Sequence, residues 1–506
     1  LVAAAYAMTR AIERASTRWL MLAWTFVGFG FLTKMLQAFL VLPGFALVYL
    51  LAAPTSVRRR VGQLVLAGVA LVVSAGWWVA AVELWPKSSR PYIGGSQNNS
   101  MLNLIFGYNG FGRLTGDEAG SVGGGGQGAG RWGPTGWTRM FNPEFGGQVS
   151  WLLPAALILL VAGLVWRGKA PRTDRARAGY LLWGSWLLVT GIVFSLSKGI
   201  IHPYYTVALA PAIGALVGMG ATTLWRHRHN FLARAVLAVT VLASAIWAKV
   251  LLDRAPNWHP ELRTLVLVSG IAVAVAILVW SRWPRSVAAA LALTAVAIGL
   301  TGPTAYALST AATTHTGAIP SAGPTVAGGF GRGGMPVGGA AGAPNGVGPG
   351  TVTNGGVTDG RGAIDGGAQG QQGTLGQQGA GRTGGIGGLL NGSSPSAELV
   401  AVLDADSDSY TWVAATIGAN QAAGYQLATG DPVMAIGGFN GTDPWPTLAV
   451  FQQYVAEGKI HYFLGGGGIG GGGQGGSSTS SEISAWVAAN FTAQTVGGVT
   501  LYDLTA

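Results

Sequence analysis

The chain is written in long apolar runs broken by short polar clusters. Runs of roughly 17 to 25 apolar residues are long enough to cross a bilayer. They fall at about 19–33, 36–53, 61–82, 150–166, 179–196, 203–224, 232–252, 262–281 and 286–308, which predicts about nine transmembrane helices. One such run alone is equally a buried core helix; nine, separated by charged punctuation, are not. The first two are short and meet at Lys34, so they predict a tilted or partly re-entrant pair. From 309 to 397 periodicity gives way to Gly with Ala, Thr, Gln and Pro, too little apolar area to offset the entropy of ordering. That segment reads as a flexible tether, and glycine does not recur at every third position as collagen requires. Beyond it, strands are predicted at 410–415, 432–436, 459–464 and 499–504, with helices at 420–429, 447–457 and 481–491. Such alternation implies a small parallel sheet. The expected fold is therefore a polytopic α-helical membrane protein (1–308, outer loop 83–149), a tether (309–397) and a small α/β domain (398–506).

Composition supports this division. Apolar residues make up 49% of the 506 and charged residues 10%, where a soluble domain averages about 25% charged. The formal charge of +11 does not point to nucleic acid, because the basic residues flank the apolar runs. Arg10, Arg14 and Arg18, then Arg58 to Arg60, then Arg167, Lys169, Arg172, Arg175 and Arg177, then Arg226 and Arg228, then Arg282 and Arg285 fall on alternate loops. By the positive-inside rule those loops are cytoplasmic, and 83–149, 197–202 and everything after about 308 lie outside. There is no cysteine, which excludes disulfides, thiol catalysis and cysteine metal sites. The start, Leu1-Val2-Ala3, has neither an initiator Met nor a basic stretch before its apolar residues, and is expected to continue a helix begun upstream.

Candidate chemistry gathers on the outer side. Lys198, His202, Tyr204 and Tyr205 sit where one helix exits and the next enters, and Lys34 is on the same side. They are either a snorkelling lysine with an aromatic belt or a site for an anionic lipid headgroup. The loop around Arg90, Tyr92, Gln97 and Asn98 is rich in aromatic and amide side chains, which suits sugar recognition or simply a solvent loop. Glycine runs at 120–130 and 465–476 read as low complexity. No Gly-Lys-Ser or Gly-Lys-Thr follows a strand, so a phosphate loop is rejected. Asn440 and Asp443, after the 432–436 strand, either hold a polar ligand or form a tight turn into a helix. No metal-binding spacing appears, no cofactor is called for, and Glu83 is the one carboxylate at the outer membrane edge that suggests a base.

Several of these stretches together resemble a known family. Arg18-Trp19, Phe31-Leu32-Thr33-Lys34-Met35-Leu36-Gln37, Arg90 to Ser96 and Lys198 to Val207 resemble the GT-C class, glycosyltransferase family 39-like, with its protein mannosyltransferase and aminoarabinose transferase relatives. The stretch 410–504, with Pro432 to Gly441, is similar to the C-terminal domain of mannosyltransferases of the YkcA/YkcB type. The resemblance implies a membrane enzyme that moves a mannose-like sugar from a polyprenyl-phosphate carrier to a cell-envelope glycan, lipid or protein. It implies that Lys198, His202 and Lys34 meet the carrier phosphate, and that the catalytic carboxylate belongs to a first outer loop upstream of Leu1. Two rival readings stay open: a flippase for a lipid-linked sugar, and an envelope-binding module on a membrane anchor. Internal repeats would favour the flippase, and none is evident.

Overall fold

The computed structural model describes residues 1–117, 134–279, 284–314, 318–324, 326, 392–465 and 477–505. The glycine run at 120–130, Arg282, the run after Gly465 and most of the 309–397 tether lie outside these residues.

Among the described residues, ten helices of more than ten residues build the first part: α1 (Val2–Arg14), α2 (Thr17–Lys34), α3 (Leu42–Ala52), α4 (Val57–Leu84), α5 (Leu153–Trp166), α6 (Arg175–Leu196), α7 (Ala210–Arg226), α8 (Phe231–Leu252), α9 (Pro260–Val279) and α10 (Arg285–Ala312). Among the described residues, eight stretches are long and apolar enough to cross a membrane, so the chain is a multi-pass membrane protein. The first, Thr17–Ala52, is 36 residues long. A straight helix of that length would be roughly 54 Å, well beyond a hydrocarbon core of about 30 Å. It folds back instead. Met35 takes φ 44°, ending α2, and the Phe31 and Phe39 rings then stack at 5.0 Å. Residues eight apart on one helix would be about 12 Å apart along its axis. The 36–53 run is therefore not one helix. A 3₁₀ stretch, Met35–Val41, comes first, and Pro43 sits in the opening turn of α3. The same entry recurs at Ser150–Leu152 before α5 and Pro203–Leu209 before α7, each with a proline in the following first turn. Proline lacks the N–H that an uninterrupted α-ladder would need there.

The first three arginine clusters converge on one face. Glu13 pairs with Arg10 at 2.8 Å and Arg175 at 3.7 Å, and Arg172 donates to the carbonyls of Leu51 and Ala53. Tyr49 Oη donates to Gln63, whose Nε2 donates to Ala15 O and Thr17 Oγ1. Helices starting here are capped by Ser56 and Asp174. Inside, small residues let backbones approach: a Cβ on Gly28 would lie 2.0 Å from Ser74 Oγ, and one on Gly44 2.2 Å from Ser185 Oγ. Outside, α4 presents Val65, Val69 and Val72 more than half exposed, a surface suited to lipid rather than water.

The C-terminal part is a three-layer α/β/α unit: α11 (Ala397–Asp404), β1 (Trp412–Ile417), α12 (Ala419–Thr429), β2 (Val433–Ile436), α13 (Leu448–Ala456), β3 (Ile460–Gly465), α14 (Thr479–Asn490), β4 (Ala493–Val496) and β5 (Val499–Asp503). The sheet order is β2-β1-β3-β5-β4. Ala414 pairs with Val433 and Tyr462 in the parallel half, while Phe463 pairs with Tyr502 antiparallel. The wholly parallel sheet expected is thus corrected to a mixed one. The reason is local: Gly497 and Gly498, at φ 56° and 82°, close a two-residue hairpin that turns β5 back against β3. Leu399, Leu403 and Tyr425 cover one sheet face, and Phe451, Ile483 and Val487 the other. The tether limits also move. Ser309 to Ala312 complete α10, and Ala397 already belongs to α11 behind the Ser396 cap.

Candidate active site

Opposite the arginine face, the connecting loops bond to one another. Arg254 donates to the Phe141 and Asn142 carbonyls, at 2.6 and 2.7 Å. Arg139, 2% exposed, donates to Phe194 O and Ser197 O and so caps the end of α6. Lys198 N and Gly199 N donate to the Leu114 and Arg113 carbonyls. These bonds fix 197–202 against a helical stretch, 101–115, whose middle Leu104–Phe111 is wound as a π-helix and kinks at Gly110. Wide turns of this kind are frequent at functional sites.

Between α2's end, that stretch and α6's end lies a cavity of about 290 Å³, near the lower limit of ligand pockets, lined by Thr33, Lys34, Gln37, Asn109, Gly110, Arg113, Ser197 and Tyr205 among others. Lys34 Nζ lies 4.1 Å from the Tyr205 ring centre and 5.4 Å from that of Tyr204. The Tyr204 and Tyr205 rings meet edge-on at 4.8 Å. His202 lies parallel to Tyr204 at 5.6 Å and edge-on to Tyr205 at 5.4 Å. Arg113 donates to Ile200 O at 3.1 Å and Asn109 Oδ1 at 3.2 Å, and its guanidinium stands 4.5 Å from the Tyr108 ring centre. Burial, with Arg113 and Lys34 nearby, lowers the His202 pKa to about 4. The imidazole is therefore neutral at neutral pH, while among the described residues the walls carry two cations and no Asp or Glu. Such a cavity favours an anion.

Lys34, His202, Tyr204 and Tyr205 thus come together, with Lys34 and Tyr205 in the cavity wall and His202 and Tyr204 packed behind them. Lys198 does not join them: its side chain is exposed and off the cavity wall. The loop residues take other places. Arg90 turns back to Val82 O and Glu83, and the Tyr92 hydroxyl donates to Ser96 O. Burial pushes the Tyr92 pKa up to about 12. Gln97 donates its backbone N–H to Asn103 Oδ1, its Nε2 is buried with no partner among the described residues, and Asn98 is exposed. Glu83 accepts from Ser100 Oγ at 2.6 Å, Leu102 N at 2.9 Å and Arg90, so it anchors the loop rather than facing the cavity. Asn440 accepts from Thr442 Oγ1 within its own turn. Two amides of this turn are used internally, Gly437 N donating to Trp445 O and Asp443 N to Gly437 O, and the N–H at the head of α12 donates to Gly438 O. The next helix is capped by Thr447, not by Thr442 or Asp443. Asp443 reaches across to the outer loop and accepts from Gly95 N at 2.8 Å. Arg113 was missed by sequence reasoning. Its signal was available, as the one cation between Arg90 and Arg131, four residues after an asparagine on a helical stretch.

Residues 1–79 match the family described as dolichyl-phosphate-mannose-protein mannosyltransferase. Residues 399–490 match the C-terminal domain family of the "Putative mannosyltransferase YkcB-like" proteins. The chain is a membrane glycosyltransferase of the mannosyltransferase type. Two Bacillus subtilis (strain 168) relatives align along nearly its whole length. "Putative mannosyltransferase YkcB" is 28% identical over 97% of this chain and 72% of its own, and "Putative mannosyltransferase YycA" is 26% identical over 96% and 73%. No solved structure matches the chain. Of the two matched segments, the first carries Lys34 and the second Asn440 and Asp443. This glycosyltransferase therefore has family-matched residues both in the cavity wall and in the contact between its two parts.

Proposed function

We propose that this glycosyltransferase takes a mannose-like sugar from a polyprenyl-phosphate carrier and transfers it to a cell-envelope glycan, lipid or protein outside the cytoplasm. The observation that carries the reading is the pair of cations, Lys34 and Arg113, in one cavity at the membrane edge whose walls hold no carboxylate among the described residues. The cavity lies on the face away from the arginine clusters, and the positive-inside rule makes that face extracytoplasmic. The bond from Gly95 of the 83–149 loop to Asp443 supports a C-terminal domain on that same side.

In the transfer, the bond between the anomeric carbon and the phosphate oxygen breaks, and negative charge grows on the leaving phosphate. Fixed cations help most where charge develops. Lys34 supplies a point charge and Arg113 a planar fork. Tyr205 in the wall offers a hydrogen bond without adding charge, and neutral His202 packs against its ring. The acceptor hydroxyl attacks the anomeric carbon and gives its proton to a base.

The test is transfer in liposomes holding the full chain, with labelled polyprenyl-phosphate mannose and a cell-envelope extract. Label is expected to move from the carrier into a new product. Label that stays on carriers of mannose, arabinose, glucose and galactose alike would overturn the reading.

A further inference from the structure

The turn after β2 reaches out of the C-terminal domain onto the loop that supports the cavity. Asp443 is 4% exposed, and its carboxylate accepts the Gly95 N–H at 2.8 Å. Beside it the Trp445 and Tyr92 rings stack, 4° from parallel with centres 5.8 Å apart. Gly95 itself rests on the 101–115 stretch. A Cβ there would lie 3.1 Å from Leu104 Cδ1 and 3.9 Å from Tyr108 Cδ1, and its φ of 82° suits glycine. Tyr108 in turn backs the Arg113 guanidinium at 4.5 Å. The path from Asp443 runs through Gly95, past Leu104 and Tyr108 on the 101–115 stretch, to Arg113, the second cation of the cavity.

We propose that the C-terminal domain is a positioning element for the anion site: Asp443 and Trp445, docked on Gly95 and Tyr92, hold the 101–115 stretch so that Arg113 stays in the cavity wall. Asp443 and Trp445 are positioning residues that act through Arg113 and touch no substrate. A buried carboxylate held by a neutral peptide N–H is a weaker clamp than an ion pair, which keeps the docking reversible. Burial raises the Asp443 pKa in keeping with that desolvation. The functional readout rests on the phosphate reading given above.

The absence of cysteine gives a clean test, because Tyr92→Cys with Trp445→Cys supplies the one thiol pair in the full chain. A short bifunctional thiol reagent is expected to join them in liposomes. Binding of a sugar-free polyprenyl phosphate is then measured. Trp445→Ala and Tyr92→Leu, on opposite sides of the stack, should each weaken it about 5- to 10-fold, the size of a typical coupling between sites. Trp445→Phe should restore it, and kcat at saturating donor should change little while KM rises. Absence of the cross-link, or wild-type binding in Trp445→Ala with binding lost in Lys34→Ala, overturns the positioning role and leaves the phosphate site standing. Wild-type binding in Lys34→Ala overturns the phosphate site and the positioning role with it.

Discussion

Lys34 Nζ sits 4.1 Å from the centre of the Tyr205 ring, so the last residue of α2 and the 3₁₀ entry to α7 meet through a cation and an aromatic face. A contact of this kind contributes about 0.5–2 kcal/mol, more when desolvated. It also holds the ammonium in place before any anion arrives, which is the condition under which a charge assists a reaction.

Removing either cation should therefore be costly. Lys34→Ala and Arg113→Ala are each expected to lower turnover by about 10²–10³-fold, the loss seen when one preorganised charge-stabilising group is deleted. Lys198→Ala, with its exposed side chain, should stay within about 0.5 kcal/mol, or roughly twofold. Turnover with a labelled lipid-linked sugar ranks the three. A Lys198 variant as damaged as Lys34→Ala would mean that the phosphate lies on the rim and not in the cavity.

The His202 imidazole, lowered from 6.5 to about 4, is neutral in the folded protein across the physiological range. It favours the folded state fully above about pH 6.5, and that contribution is lost as pH falls towards 4. His202→Asn should reduce turnover yet leave the shape of the pH–rate profile between 5 and 8 unchanged. An inflection near 6.5 in the wild type that disappears in the variant would show a titrating imidazole.

Glu144 behaves in the opposite sense. Burial raises its carboxyl from 4.5 to about 7, with the nearby Arg139 pulling it back. Between those values the folded protein holds a proton that the unfolded chain has lost, so stability falls as pH rises through the window and stays lower above it. Glu144→Gln should flatten the decline in Tm between pH 5 and 8. An equal decline in variant and wild type would exclude this carboxyl as its source.

Gly110 supports the cavity by having no side chain. A Cβ there would fall 2.4 Å from Ile105 O, whereas one at Gly107 would meet nothing nearer than 3.9 Å. Gly110→Ala is expected to shift the 101–115 stretch and cost about 10²-fold in kcat/KM, as misplacements near 1 Å do. Gly107→Ala serves as the control and should remain close to wild type.

The membrane part was legible because hydropathy and charge report directly on the bilayer. Even the break at Lys34 showed as two short runs meeting at one lysine. The outer loop was harder to read. Its amides suggested sugar binding, yet Asn99 and Asn103 accept from Ile93 N and Gln97 N, and Glu83 ties the loop's base. Composition names donors and acceptors but not their partners. In the C-terminal domain the strand–helix alternation was sound for β1, β2 and β3. The antiparallel pair followed from Gly497-Gly498, a turn signal that was present and passed over. The Asp443–Gly95 bond spans 348 positions, and no local pattern encodes a contact of that range.

The fold-back at Met35 also constrains how the chain enters the bilayer. α2 supplies 18 residues, about 27 Å, and the return leg of 3₁₀ stretch plus α3 spans roughly 30 Å, so each leg just reaches across. Lys34 rides at the tip, where moving an ammonium past the hydrocarbon midpoint costs about 2.5–3.5 kcal/mol on insertion scales. Neither leg is well suited to threading alone. The two are best inserted together as one hairpin, which carries the charged tip across in a single event and leaves it where the aromatic pair of the later α7 entry can receive it.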